Sequence, residues 1–139
     1  MALCDRDGVY GAPRFFGKAK EAGFRPIIGA ELTMEDGAVL PVLVESRPGY
    51  QNLCRLLTQA HLRSEKGKNA VRWDELPEFK EGLVALTGDG DGPLRRELRE
   101  NRSYEQAIAA LQKLFTIFGP NHLFIELQRH HVRGEERII

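Results

Sequence analysis

Charged side chains gather in this chain where apolar runs stop. Ala2, Leu3 and Cys4 lead directly into Asp5, Arg6 and Asp7, and Pro26 to Ala30 lead into Glu31. A strand that ends in charged residues is where an α/β sheet places its site, and two such ends could converge on one metal or one phosphate. Asp5 and Asp7 have a second reading, as turn residues and helix-start charges, because Gly8 and Gly11 loosen the chain before a helix opens near Pro13. A further polar strand end follows His122 to Leu127, where Gln128, Arg129, His130 and His131 stand. For the two adjacent histidines a hydrogen-bonded pair is favoured over metal ligation, since no partner lies at ligand spacing. Asp89, Asp91 and Glu100 resemble a calcium loop, but Pro93 and Leu94 occupy the positions of a ligand and of the tight-turn glycine, so calcium is rejected. There is no Walker loop, HExxH, GxSxG or dinucleotide glycine fingerprint.

The elements that must hold these residues alternate. A first strand is followed by a helix from Pro13 to Gly23, a strand from Pro26 to Met34, a turn at Glu35-Asp36-Gly37 and a returning strand from Val39 to Val44. Ser46 caps a helix with Tyr50, Leu53, Cys54, Leu57 and Ala60 on its apolar face, which makes the Cys54 thiol core and inert. Arg63 to Asn69 reads as a solvated loop, Trp73 anchors a short turn, and Leu83 to Leu86 is a compact strand. The arginines between Pro93 and Arg102 alternate with Glu97 and Glu100, which favours an exposed salt-bridged helix face over a DNA-facing stripe. Ser103 and Gln106 form a capping box for a helix with Ala107, Ile108, Leu111, Leu114, Phe115 and Phe118 on its apolar face. His61 falls late on its helix beside the negative end of the dipole. The alternation predicts an α/β fold with a largely parallel sheet and crossover helices, open or closed.

Composition bounds the function. A chain of 139 residues has room for one domain with a real core. Lysine plus arginine and aspartate plus glutamate stand at 20 each, so no overall positive field draws the chain to nucleic acid. Cys4 and Cys54 lack CxxC spacing, which argues against a disulfide framework or a structural zinc site. No apolar stretch approaches the ~20 residues of a membrane span, and the chain reads as cytoplasmic. Strand-like residues follow Met1 at once and the chain stops at Ile138 and Ile139, so residues 1–139 are expected to be a piece of a longer protein, with poor solubility where strand edges are exposed.

Successive blocks, DRDGVYGAPRF, KAKEAGFRPIIGAEL, LPVLVESRPGYQNLCRLLTQAH, EGLVALTGDGDGPL and FIELQRH, resemble the polymerase-and-histidinol-phosphatase (PHP) domain at the front of bacterial C-family DNA polymerases. They are most similar to the error-prone, alpha-subunit-like subgroup. The resemblance implies a distorted barrel of β/α units with its site at the C-terminal strand ends, here incomplete at both ends. It also implies a cluster of up to three divalent metals (zinc, manganese or magnesium) that would activate water against a phosphate ester.

Matched position by position, Glu31 corresponds to a glutamate ligand. Asp89 stands where some relatives place a cysteine, Val39 where many place a histidine, and Arg6 where metal-binding relatives have histidine. A guanidinium stays protonated and has no lone pair for a metal. Arg6 among Asp5, Asp7 and Glu31 is therefore expected to pair with carboxylates, leaving a degenerate or partial site and no catalytic residue in this chain. The resemblance implies as partners the remaining polymerase domains, and DNA through the full-length protein, with a scaffold role in replication and damage-tolerant repair synthesis. A metal-dependent phosphoesterase, proofreading or pyrophosphate-removing, and a non-catalytic interaction module are the alternatives.

Overall fold

In a computed structural model, residues 1–128 are described except Lys66 and Arg102; for Glu100 and Asn101 the backbone alone is described. The elements run β1 (Ala2–Arg6), α1 (Ala12–Glu21), β2 (Ile27–Thr33), β3 (Val39–Val44), α2 (Arg47–Arg63), α3 (Leu76–Phe79), β4 (Leu83–Leu86), α4 (Pro93–Arg96), a π-helical turn at Glu97–Asn101, α5 (Tyr104–Phe118) and β5 (Leu123–Phe124).

One five-stranded sheet has the order β1-β2-β3-β4-β5. The largely parallel expectation needs correction at its centre. β1–β2 and β4–β5 are parallel, but β3 is antiparallel to both neighbours. The physical reason is the turn after β2: Gly37 adopts φ 82, Gly37 N–H donates to the Met34 carbonyl, and the chain returns without a crossover helix. Because β3 alone is inverted, the C-terminal ends of the other four strands still share one edge of the sheet with the start of β3. β5 is shorter than the His122 to Leu127 run, since β4 offers it only the register pairs Ala85–Leu123 and Leu86–Phe124.

Side chains alternate across a strand, so register assigns the two faces of the sheet. Ala30, Leu32, Leu40, Val42, Leu83 and Ala85 form one face and pack against Leu53, Leu56 and Leu57 of α2, Leu76 and Phe79 of α3, and Leu114, Ile117 and Phe118 of α5. Cys4, Arg6, Gly29, Glu31, Val39 and Pro41 belong to the opposite face. At about 1.5–3 kcal/mol for each large apolar side chain withdrawn from water, this single core dominates stability.

Ser46 Oγ caps α2 by accepting from Gly49 N–H at 3.2 Å. Gly49 has to be glycine: a Cβ there would stand 1.9 Å from the Gly82 carbonyl oxygen, where the helix start crosses the entry to β4. Ser103 Oγ caps α5 through Gln106 N–H at 3.3 Å, and Gly119 ends that helix at φ 76.

Two helix faces differ from the pattern reading. On α2, Leu56 is fully buried along with Leu53, while Cys54 is only partly buried at the margin of the face. On α5, Ile117 is buried whereas Ile108 and Phe115 are 55% and 52% exposed. α5 is apolar over most of its circumference, so helical spacing alone does not choose which stripe meets the sheet.

Candidate functional site at the strand ends

Arg6 ends β1 and Glu31 lies beside it in register on β2, both on the face away from the helices. Arg6 Nη1 donates to Glu31 Oε2 at 3.1 Å, with the two side chains 50% and 42% exposed. They open onto a cavity of about 330 Å³ whose walls also include Val39 and Pro41 of β3, Asp89 and Asp91 of the loop after β4, Arg99 and Gln128. Arginine–carboxylate pairs among the described residues surround it: Arg6–Glu31, Arg95–Asp89 at 3.0 Å and Arg99–Asp91 at 3.1 Å. Arg95 and Arg99 therefore reach back to the glycine-rich loop after β4, beyond the helix-face pairing expected of them.

Asp5 turns to the helix side, where its Oδ2 accepts from Gly11 N–H at 2.6 Å and closes the β1–α1 turn. Asp7, one residue beyond Arg6, is committed too. Its carboxylate accepts from Thr33 N–H and Thr33 Oγ1–H, both at 2.7 Å, and its own N–H donates to the Glu31 carbonyl at 2.9 Å. Of the predicted polar cluster, only Arg6 lines the cavity; Asp5 and Asp7 serve the turn, and His130 lies outside the described residues, as do Arg129 and His131. His61 Nε2–H donates to the Asp7 carbonyl at 2.8 Å, tying the end of α2 to the strand-end loop. His122 Nε2 is 3.4 Å from Glu45 Oε2.

Two contributors were missed from sequence. Glu126 follows β5; its N–H donates to Thr87 Oγ1 at 2.9 Å and its Oε1 accepts from Gln128 Nε2 at 2.7 Å, whereas Oε2 is buried with no hydrogen-bond partner among the described residues. Thr87, at 2% exposure, is the buried polar residue that receives it. The signal was present: Glu126 is the first charged residue after the apolar run Leu123 to Ile125, the same mark that singled out Asp5 and Glu31. Cys4, on the cavity's face of the sheet, feels the cluster. Burial first, then the charges of Glu31, Glu126 and Asp5, push its thiol up to about 11.

Glu31 and Asp89, the two positions matched to metal ligands, do face one cavity. Each carboxylate is held by an arginine, Val39 between them offers no donor atom, and no three His, Cys, Asp or Glu side chains among the described residues are grouped to hold a metal. Among the described residues the donor set does not fit a metal cluster.

Comparison with known proteins identifies the family. The family model for the PHP domain matches residues 1–130. The chain belongs to the PHP domain family. Among curated relatives of this PHP chain, the error-prone DNA polymerase of Pseudomonas fluorescens is 39% identical over 99% of the chain, and that of Symbiobacterium thermophilum 34% over 99%. The DNA polymerase III alpha subunit of Caulobacter vibrioides is 34% identical over 92%. The chain spans only 12–14% of the length of these relatives. A solved structure from Bifidobacterium adolescentis, provisionally assigned as a metal-dependent phosphoesterase, shares the fold with a TM-score of 0.52 at 14% identity, over 99% of this chain and 70% of its own. The mixed α/β sheet is consistent with an incomplete PHP barrel. Among the described residues no helix is long and apolar enough to cross a membrane.

Proposed function

We propose that residues 1–139 are part of the PHP domain of an error-prone DNA-directed DNA polymerase, a cytoplasmic enzyme of replication and damage-tolerant repair synthesis, and that this domain acts as a scaffold around a degenerate site. The observation that carries the reading is the Arg6–Glu31 pair: a fixed guanidinium stands against the carboxylate that the family pattern assigns to metal. Guanidinium charge then replaces metal charge in holding the strand ends together. Names of the relatives support the polymerase, and their greater length supports further domains as the partners of this one, with DNA contacted by the whole protein.

The second reading is a metal-dependent phosphoesterase, favoured by one observation, the shared cavity of Glu31 and Asp89. Thermal unfolding with zinc, manganese or magnesium separates the two. A ligand that binds only the folded state stabilises it, by about 2.7 kcal/mol at a hundred times its dissociation constant. The expected result is no metal-dependent rise in Tm for the natural sequence and a rise once Arg6→His and Val39→His are combined. A rise in the natural sequence would favour the phosphoesterase; no rise in the double variant would refute the assignment of those positions to ligands.

A further inference from the structure

The end of the sheet remote from the Arg6–Glu31 cavity carries a second feature, independent of the strand-end site. At the start of β2 and the end of β3, beyond the buried Ala30 and Val42, the sheet is left open between two helices. α1 belongs to the β1–β2 crossover and α2 follows β3, and between them runs a groove of about 560 Å³, within the roughly 300–1,000 Å³ of ligand clefts. Pro13 and Phe16 of α1 form one wall, Tyr50 of α2 the other, and Ile28 and Val44 the floor. Phe16 is 43% exposed.

Two cations, Lys20 and Arg47, and one carboxylate, Glu45, stand at its margins. Lys20 Nζ sits 4.7 Å from the centroid of the Phe16 ring. Arg47, exposed on the opposite wall, has no carboxylate partner among the described residues. Arg47 also begins α2, whose first turn contains no acidic residue, so the positive end of the helix dipole lacks a carboxylate there. The carboxylate on the groove wall, Glu45, faces His122 at 3.4 Å.

We propose that this groove docks an acidic amphipathic peptide segment of a partner protein. Bulky apolar side chains fill the trough between Phe16 and Tyr50, and flanking carboxylates meet Lys20, Arg47 and the start of α2. Apolar anchors in a trough supply affinity, and the rim charges select the partner.

The test pans a random-peptide phage library on the protein at its natural length and measures a synthetic member of the enriched set by fluorescence anisotropy. The expected consensus is paired apolar residues flanked by Asp or Glu. Lys20→Glu and Arg47→Glu should each weaken binding about tenfold or more, while Arg55→Glu, outside the groove, leaves it unchanged; circular dichroism checks that each variant folds. Basic or uncharged consensus peptides, no enrichment, or indifference to both reversals would overturn the proposal. So would a concentration-dependent dimer abolished by Phe16→Glu, which would make a second copy the occupant. An apolar dye that binds the groove without competition from the peptides would overturn it in favour of a small-molecule cleft.

Discussion

Asp7 shows how much a single strand-end residue can be asked to do. Its backbone is left-handed, with φ 51, a conformation that costs a non-glycine residue about 1–2 kcal/mol and that aspartate tolerates better than most. Its N–H, its carbonyl and both carboxylate oxygens are bonded, to Glu31, His61 and Thr33. Those bonds hold the bend that presents Arg6 to the cavity. Asp7→Ala keeps the backbone cost and loses the Thr33 bonds, and is expected to lower stability by about 2–3 kcal/mol. Asp7→Gly loses the same bonds but relieves the backbone, and is expected to be milder by about 1 kcal/mol. Urea midpoints decide: equal values for the two variants would show that the left-handed backbone is not under strain. The turn role of Asp5 and Asp7 was readable from the adjacent glycines. The bond to Thr33 was not, because its partners meet only after β1 and β2 pair.

At the scale of elements, charge pairs fix how helices and loops attach. Arg63, in the last turn of α2, grips Glu75 ahead of α3 through both guanidinium nitrogens and also donates to the Ala70 carbonyl at 2.8 Å. Gln59 Nε2–H and Arg72 N–H donate to the same carboxylate at 2.8 and 3.0 Å. The Arg63 hydrogen bond, with the Arg72 and Gln59 bonds behind it, holds the Glu75 carboxyl down to about 2. A carboxylate whose folded value lies below its ordinary 4.5 stabilises the fold fully above that pH, and the contribution drains away as pH falls toward about 2. Glu75→Gln is therefore expected to cost about 1–3 kcal/mol at neutral pH, with the gap in Tm between the two proteins closing on acidification. A gap that stays constant from neutral to acid pH would refute the ionic origin. Sequence reading took Arg63 to Asn69 for a solvated loop; the loop is there, but Arg63 belongs to the helix and to the clamp. Likewise the caps at Ser46 and Ser103 were readable as local patterns, while the choice between Ile108 and Ile117 for the core required the sheet on which α5 lies.

For the molecule as a whole, Cys4 reports the integrity of the sheet. Its thiol is pushed up to about 11 only while β1, β2 and the segment after β5 bring burial and the charges of Glu31, Glu126 and Asp5 around it. A thiol held two units above its ordinary value has about a hundredfold less thiolate at pH 8. Native Cys4 should alkylate about a hundredfold more slowly than in urea, and stability should fall between pH 9 and 11 as the unfolded chain ionises first. Mapping the alkylated cysteine by mass spectrometry checks this; equal rates in the native and unfolded chain would show that neither burial nor the neighbouring carboxylates hold the thiol up. The amino-acid sequence by itself determined the α/β class, the hairpin return after β2, and the strand ends as the place of the polar residues. These follow from side-chain type, local spacing and turn chemistry, all of which act within a few residues. Tertiary structure alone decided the pairing of β3 with β4, the arrival of Arg95, Arg99 and Glu126 at the strand ends, and the groove between α1 and α2. Each of those depends on which distant segments pair, and pairing is a property of the packed sheet, not of any window of sequence.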